Sequence, residues 1–305
     1  MHLKLTSYDL KLIAISLMLI DHLGAFLFPD IMIFRYLGRI AFPLFAFMIA
    51  EGARYSTNRL KYLGRLTIFA IISEFPYDLI NALAYVPKAE LFNKIDLFNQ
   101  TNIFYTLALA LLSIELYETL LKKNFKIKIS LAITSILIIF ISELLLVESL
   151  ISFKVMTLII LIILGLIIIL LQRLKDVEVS NNLFNKFLAF IPILLILHLS
   201  YLLDSEYGKV AILMIFGMYL VRELRYQQVV MFIGLFLIYG VYVLRYLVSF
   251  KTIYAFNLWI YLFSLVAIIL IAFYNGQRGK KTKWLFYCFY PVHLSILLII
   301  KALMI

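Results

Sequence analysis

Residues 10–28 read LKLIAISLMLIDHLGAFLF, an apolar run long enough to cross a bilayer as a helix. Similar runs recur along the chain, in which 65% of residues are hydrophobic and 15% are charged. Soluble domains are about 45–50% apolar and about 25% charged. The runs are continuously apolar rather than alternating, which disfavours a membrane β-barrel. Since a helix satisfies its own backbone in lipid, the sequence predicts an all-α fold, a polytopic transmembrane helix bundle.

We expect about ten or eleven spans in a single integral-membrane domain that covers residues 1–305. The predicted span at 210–221 is short for crossing a bilayer, and the one at 155–171 is near the lower limit. The first run lacks a small-residue cleavage site, so we interpret it as a retained helix rather than a signal peptide. The predicted spans are residues 10–28, 34–53, 66–85, 102–121, 129–147, 155–171, 187–203, 210–221, 229–247, 253–273 and 284–303.

The loops between these spans carry most of the Lys and Arg residues, which set the orientation of a membrane protein. Nineteen of them fall on the side of the N-terminus and eight on the other side. This bias predicts a cytoplasmic N-terminus. Membrane topology therefore explains the net charge of +11, and we expect membrane lipids, not nucleic acid, as partners.

Two adjacent ionisable residues, Asp21 and His22, lie inside the first apolar run. Such residues are costly in a membrane helix and mark a pathway or a reaction site by default. Adjacent helix positions point about 100° apart, so we expect one residue to face a reaction site while a neighbouring helix holds the other. A structural polar contact between helices is the alternative.

Arg39 lies in the second predicted span at about the depth of Asp21, the nearest carboxylate partner for a buried guanidinium. Snorkelling to the outer headgroups is the alternative for Arg39. Pro43 is predicted to kink this helix and open space beside the pair. Glu51 and Arg54, three positions apart, are expected to form a surface pair at the inner headgroups.

The third predicted span carries Glu74, Tyr77 and Asp78 on one helical face. Pro76 is expected to interrupt this turn and free a backbone carbonyl. Two carboxylates and a phenol on one stripe suit a polar substrate, although a helix end entering water has the same composition. Asn102 opens the fourth span, either as part of this substrate site or as a helix cap.

The segment YNGQRGKKTK at 274–283 combines glycines, which let backbone amides approach an anion, with basic side chains that neutralise phosphate. It suits coenzyme A and equally suits the inner leaflet. His293 is grouped with this candidate cofactor site, a buried hydrogen bond being the alternative, and His198 is taken as structural. No Walker loop, GxSxG, HExxH or paired CxxC motif occurs, and no metal site is predicted. The candidate cofactor residues are Tyr274, Asn275, Gly276, Arg278, Lys280, Lys281 and His293.

Seven segments occur in order along nearly the whole chain: LIDHLGAFLFP (19–29), YLGRIAFPLFAFMIAEG (36–52), RLTIFAIISEFPYDL (65–79), NIFYTLALALL (102–112), DSEYGKVAILMIF (204–216), YNGQRGKK (274–281) and FYPVHLSILLI (289–299). They resemble the TraX family of bacterial inner-membrane proteins, whose named activity is N-terminal acetylation of conjugative pilin. More distantly they are similar to integral-membrane acyltransferases such as heparan-alpha-glucosaminide N-acetyltransferase, which uses cytosolic acetyl-coenzyme A. The resemblance implies that Asp21, His22 and Arg39 form the reactive core, with Glu74, Asp78, Asn102 and the 274–278 loop around it.

These features lead to the hypothesis of an acetyl- or acyltransferase in the bacterial cytoplasmic membrane. It would move an acetyl group from cytosolic acetyl-coenzyme A to an amine or hydroxyl in the outer half of the membrane, on a peptide, saccharide or small molecule. His22 is the expected general base, Asp21 orients it or anchors Arg39, and Arg39 stabilises the oxyanion. The alternatives are a proton-coupled transporter and a non-catalytic membrane protein of secretion or pilus assembly.

Overall fold

The computed structural model describes residues 4–85, 100–147, 152–174, 182–248 and 255–304. In these ranges helices form all of the regular secondary structure, apart from one β-bridge between Leu5 and Tyr274. The helices are α1 (Ser7–Phe26), α2 (Met32–Gly38), α3 (Ala41–Tyr55), α4 (Arg59–Tyr85), α5 (Ile103–Leu121), α6 (Phe125–Val147), α7 (Phe153–Arg173), α8 (Leu183–Phe190), α9 (Ile193–Leu202), α10 (Gly208–Leu220), α11 (Leu224–Leu235), α12 (Val241–Val248), α13 (Ala255–Ala272) and α14 (Lys283–Met304), with a π-helical turn at Phe236–Gly240.

Seven helical segments in the described ranges are long and apolar enough to cross a membrane, and three shorter apolar helices accompany them. These segments confirm the all-α, polytopic transmembrane bundle. The number of spans stays a prediction, and the first two residues of the span predicted at 253–273 lie outside the described residues.

The chain divides into two compact units, Met1–Phe98 with Leu213–Ile305, and Asn99–Ile212. The first unit holds α1–α4 and α11–α14, the second holds α5–α9, and the boundary falls within α10. That the whole chain acts as a single membrane domain stays a prediction.

Helix α1 lies at the centre of the first unit, where it contacts α2, α3, α4 and α14. Its start is set by a capping box: Oγ1 of Thr6 accepts from the Asp9 backbone N–H at 3.3 Å, and the Thr6 N–H donates to Oδ2 of Asp9 at 2.9 Å. Leu10 and Ala14 are fully buried. The contacts with four helices place the second half of α1, with Asp21 and His22, inside the unit.

The second span is broken into α2 and α3 at Arg39 and Ile40. Pro43 explains the break, because proline has no N–H for the carbonyl four residues earlier, that of Arg39, and its ring crowds this carbonyl. The helix is therefore interrupted where Pro43 predicts a kink, and the space expected beside the pair stays a prediction. Pro76 behaves differently, since α4 continues through it as one helix, and the predicted interruption of that turn is wrong.

The second unit is built around α5, in which Leu111 and Ile114 are fully buried. Pro192 lies in the break between α8 and α9, as the N-cap of α9. Helix α6 instead exposes large apolar side chains along one face, a composition that suits contact with lipid. These side chains are Ile133, Ile136, Leu137, Phe140 and Leu144.

Candidate active site

Asp21 is buried, with 9% of the residue exposed, and forms two ion pairs inside the first unit. Nη2 of Arg39 lies 2.6 Å from its Oδ2, and Nη1 of Arg35 lies 2.9 Å from the same oxygen. The predicted pairing of Arg39 with Asp21 is present. Arg35 is a second partner of Asp21 that the sequence reasoning missed. Its position fourteen residues after Asp21, across a short connection, was the available signal.

The close approach of α1 and α2 depends on two glycines. A Cβ atom added to Gly38 would lie 2.2 Å from Cβ and Oδ1 of Asp21, and one added to Gly24 would lie 2.6 Å from Cβ of Phe34. Both distances are shorter than packed carbon atoms tolerate. The absence of side chains at Gly24 and Gly38 therefore lets α2 bring its arginines onto Asp21.

His22 points to a different helix, as the 100° rotation between adjacent residues requires. Its Nδ1 lies 2.7 Å from Nε2 of His293 on α14, and the two rings are nearly parallel, with an interplanar angle of 8°. Nδ1 of His293 lies 2.7 Å from the carbonyl oxygen of Phe289. The structure thus forms a hydrogen-bonded row from His22 through His293 to a backbone carbonyl.

This row determines the tautomers of the two imidazoles. A carbonyl only accepts, so Nδ1 of His293 carries the hydrogen and Nε2 of the neutral ring accepts. The hydrogen in the contact between the two histidines then belongs to Nδ1 of His22. Nε2 of His22 retains its lone pair and makes no hydrogen bond to any residue that the structure describes. His22 therefore presents a basic nitrogen whose direction is set by His293.

Aromatic side chains surround the two histidines. Tyr290 is 1% exposed, with its ring centroid 6.0 Å from that of His22 and 5.5 Å from that of His293. Phe26 lies 5.7 Å from His22, and Phe289 stacks on His293 at 4.8 Å. The rings form an apolar surrounding for the two imidazoles, and a low local dielectric strengthens electrostatic interactions.

The residues predicted to bind substrate do not all lie in one unit. Glu74, Tyr77 and Asp78 lie on α4, which contacts both α1 and α14, and Glu74 is 1% exposed. Asn102 lies in the second unit, where its Oδ1 accepts from the Phe104 N–H at 3.0 Å as the N-cap of α5. Capping, the alternative we considered, is present for Asn102, whereas the substrate-binding role of all four residues stays a prediction.

The loop predicted to bind coenzyme A is fastened to the start of α1. Backbone hydrogen bonds join Leu5 to Phe273 and Asn275, and Ser7 to Gln277. The side-chain oxygen of Asn275 accepts from the Gln277 N–H within the loop.

Three basic side chains of this loop, Arg278, Lys280 and Lys281, are exposed. Nζ of Lys280 lies 5.8 Å from the centroid of the Tyr8 ring. Burial, with the carboxylate of Glu51 and the phenol of Tyr55 nearby, raises the pKa of Tyr274 to about 12. The loop therefore presents cations and a neutral phenol on a fixed backbone.

His293 is the predicted cofactor residue that lies away from this loop. It is ten residues into α14 from Lys283 and contacts His22 instead. The buried hydrogen bond that we gave as the alternative for His293 is thus present. Sequence reasoning missed its pairing with His22, although two histidines in apolar helices were the signal.

Glu51 and Arg54 are not the surface pair that we expected. Glu51 is 8% exposed, and Arg54 pairs with it and donates to the carbonyls of Met218, Tyr219 and Val221 at the end of α10. Arginine near a helix C-terminus satisfies carbonyls that have no partner within the helix. The expectation was wrong because carbonyl groups of another segment take the place of water.

His198, in the second unit, also has partners. Its Nε2 lies 2.6 Å from Oγ of Ser142, and its Nδ1 lies 3.3 Å from Oε1 of Glu143. Ser142 also donates to the carbonyl of Ile139. These contacts join α6 to α9, and polar contacts between membrane helices commonly have this role.

Comparisons with known proteins agree with the resemblance noted in the sequence. The family described as TraX protein matches residues 7–175 and 141–301. A probable fimbrial assembly protein FimC, serogroup H1, of Dichelobacter nodosus is 33% identical over 138 residues, which cover 44% of this chain and 55% of that protein. An uncharacterized protein RP591 of Rickettsia prowazekii (strain Madrid E) is 48% identical over 44 residues, 14% of this chain and 18% of that protein.

These alignments span about half the length of the first relative and under a fifth of the second. No solved structure matches the chain. The family match extends over most of the sequence, from residue 7 to residue 301. The chain belongs to the TraX family.

Proposed function

We propose that the protein is a membrane-embedded acetyltransferase that uses acetyl-coenzyme A. The acceptor is an amine or hydroxyl in the outer half of the bacterial cytoplasmic membrane. The observation that supports this most directly is the row from His22 through His293 to the Phe289 carbonyl. A histidine held in one tautomer, with its second nitrogen unbonded, is the arrangement that general-base catalysis requires.

The proposed reaction uses Nε2 of His22 as the base. His22 takes the proton from the acceptor amine or hydroxyl as the acceptor attacks the thioester carbonyl, and His293 stabilises the resulting imidazolium by accepting from its Nδ1. The carbon–sulfur bond then breaks, and His22 returns the proton to the departing thiolate. The positive charges beside Asp21 favour the oxyanion that forms in between. Transfer through an acetylated His22 uses the same groups in two steps.

The distance from the loop to His22 suits an extended acyl donor. The Tyr8 N–H donates to the Arg278 carbonyl in the loop, and His22 lies fourteen positions after Tyr8 in α1. At 1.5 Å per residue the two lie about 21 Å apart along the helix. Coenzyme A carries its phosphates at one end and its thioester at the other. Arg278, Lys280 and Lys281 would hold the phosphates while the thioester approaches His22.

A second function is favoured by the relative that is named a probable fimbrial assembly protein. On this reading the protein acts in fimbrial assembly without chemistry of its own, and the row of histidines is a structural contact between α1 and α14. Proton-coupled transport is a third function, since two hydrogen-bonded imidazoles are also suited to passing protons.

The three functions differ in what happens to the thioester. Purified full-length protein is reconstituted in sealed vesicles with labelled acetyl-coenzyme A on the cytosolic side, and both free thiol and solute flux are measured. Acetyl transfer predicts thiol release that depends on an acceptor, transport predicts flux with intact thioester, and assembly predicts neither.

Mass spectrometry of cells with and without the gene identifies the acceptor. The acetyltransferase predicts a peptide, saccharide or lipid that loses an acetyl group when the gene is deleted. An unchanged set of acetylated products, together with no thiol release in vesicles, would contradict the proposed function.

A further inference from the structure

Arg35 uses only part of its guanidinium within the protein. Its Nη1 lies 2.9 Å from Oδ2 of Asp21 and donates to the Asp21 carbonyl oxygen at 3.2 Å. Nε and Nη2 of Arg35 make no hydrogen bond to any residue in the described ranges. Its side chain is 26% exposed, compared with 12% for Arg39. The remaining donors of Arg35 are therefore available to a group from outside the chain.

Arg35 shares its carboxylate partner with a second guanidinium. Oδ2 of Asp21 pairs with both Arg35 and Arg39, so Asp21 neutralises Arg35 only in part. Arginine remains protonated in proteins, and a cation that is partly removed from water attracts an anion more strongly than an exposed one does. Arg35 is the more exposed of the two arginines.

Arg35 contacts α1 next to the residue proposed as the base. The carbonyl that Arg35 contacts belongs to the peptide bond between Asp21 and His22. An anion bound by Arg35 is thus held beside the segment of α1 that carries His22. A molecule with both an anionic group and a reactive amine or hydroxyl could bind at Arg35 and react at His22.

Exposed apolar side chains precede Arg35 in the chain. Phe28, Ile31, Met32 and Ile33 are each between 43% and 48% exposed. Exposed apolar groups beside a basic residue are typical of protein surfaces that contact the lipid headgroup region. This composition favours an anion carried by a lipid over one that arrives from water.

We propose that Arg35 is a substrate-binding residue whose Nε and Nη2 bind a phosphate or carboxylate on the acceptor. A guanidinium edge binds such groups through two parallel hydrogen bonds. The identification of the bound molecule as the acceptor rests on the proposed acetyltransferase function, whereas the anion site itself does not.

The test measures binding in the absence of acetyl-coenzyme A. Full-length protein is placed in nanodiscs of phosphatidylcholine mixed with phosphatidylglycerol, and the lipid that remains bound is identified by native mass spectrometry. A parallel arm titrates glycerol 3-phosphate, with glycerol as the neutral reference, and follows the unfolding temperature. The first arm reports a lipid-borne anion and the second a soluble one.

Anion binding by three variants is compared with that of the wild type. Arg35→Gln is expected to weaken anion binding about 10- to 100-fold, the loss of a charge-assisted contact. Arg35→Lys keeps the charge without the two-donor edge, so its affinity falls between those of the wild type and Arg35→Gln. Arg225→Gln is the matched control, because Arg225 is 71% exposed and pairs with Glu223 elsewhere in the unit.

The site is supported if the wild type binds either anion selectively, Arg35→Gln loses this binding and Arg225→Gln retains it. The arm of the test in which binding is seen shows whether the anion is carried by a lipid or is soluble. Equal binding by the wild type and Arg35→Gln overturns the proposed site. The site is also overturned if the wild type prefers neither phosphatidylglycerol to phosphatidylcholine nor glycerol 3-phosphate to glycerol. If Arg35→Gln does not fold, Arg35→Lys decides, since unchanged affinity in this variant contradicts two-donor binding. Anion binding without acetyl transfer would refute the proposed acetyltransferase but support the anion site at Arg35. Acetyl transfer without anion binding would refute the anion site but support the acetyltransferase.

Discussion

Nδ1 of His22 lies 2.7 Å from Nε2 of His293, although 271 residues separate the two histidines in the chain. The contact joins the first helix of the chain to the last one described, and the Phe289 carbonyl determines which nitrogen donates. His293 is thus a positioning residue for His22, because it holds the ring and its tautomer without touching the acceptor.

Substitutions of His293 separate positioning from proton transfer. In His293→Gln the amide oxygen still accepts from Nδ1 of His22, so we expect most of the acetyl transfer to remain. In His293→Leu the acceptor is lost and His22 turns away, and the rate falls on the order of a hundredfold. Acetyl-transfer rates of the two variants are compared at several pH values. Equal loss in both would show that His293 must itself carry a proton.

Asp21 and Arg39 make different contributions to stability. Asp21→Asn leaves two arginines without their carboxylate, and we expect the free energy of unfolding to fall by about 3–5 kcal/mol. Arg39→Met is expected to cost less, because Arg35 still pairs with Asp21. Denaturant unfolding in detergent micelles measures both, with Asp30→Asn as the exposed control. A larger loss in Arg39→Met than in Asp21→Asn would contradict the shared carboxylate.

Gly38 tests the close packing of α1 on α2. Gly38→Ala places a methyl group against Asp21, and we expect a loss of about 1–3 kcal/mol in the free energy of unfolding from overpacking. Gly64→Ala is the matched control, because nothing lies within 4 Å of a Cβ atom at that position of α4. Alanine there is expected to stabilise the helix by about 0.5–1 kcal/mol. Similar stabilities for the two variants would mean that α2 lies farther from Asp21.

The phenol of Tyr274 predicts a specific response to alkaline pH. Its pKa is about 10 in an unfolded chain and is raised to about 12 in the folded protein by burial and by Glu51. The folded state therefore holds this proton more tightly, and the resulting stability is present below pH 10 and lost between about pH 10 and 12. Tyr274→Phe should lose less stability than the wild type across this window. The free energy of unfolding of both proteins is measured between pH 9 and pH 12. An equal loss in the two proteins would contradict a buried phenol at Tyr274.

Much of the first unit could be predicted from the sequence because its determinants are local. Continuous apolar runs predict helices, Pro43 predicts the break before α3, and the similar depth of Asp21 and Arg39 on consecutive helices predicts their pairing. Capping by Asn102 is local as well. In each case a single segment, or two segments joined by a short loop, contains the information.

The rest depends on which distant helices pack together, and apolar composition does not determine this. His22 could not be matched to His293, because any of the later helices was an equally good neighbour of α1. Glu51 and Arg54 were assigned to the surface for the same reason, since their burial depends on the end of α10. Pro76 was expected to interrupt its turn, yet α4 continues through it.

The most direct measurement of the proposed mechanism is acetyl transfer by purified His22→Asn. Asparagine places an amide nitrogen near the position of Nδ1, so the contact with His293 and the fold are kept while the basic Nε2 is removed. We predict that transfer falls about 10²–10⁴-fold, whereas His198→Asn, the same change at a buried histidine of the second unit, retains the wild-type rate. Undiminished transfer by folded His22→Asn would contradict His22 as the base.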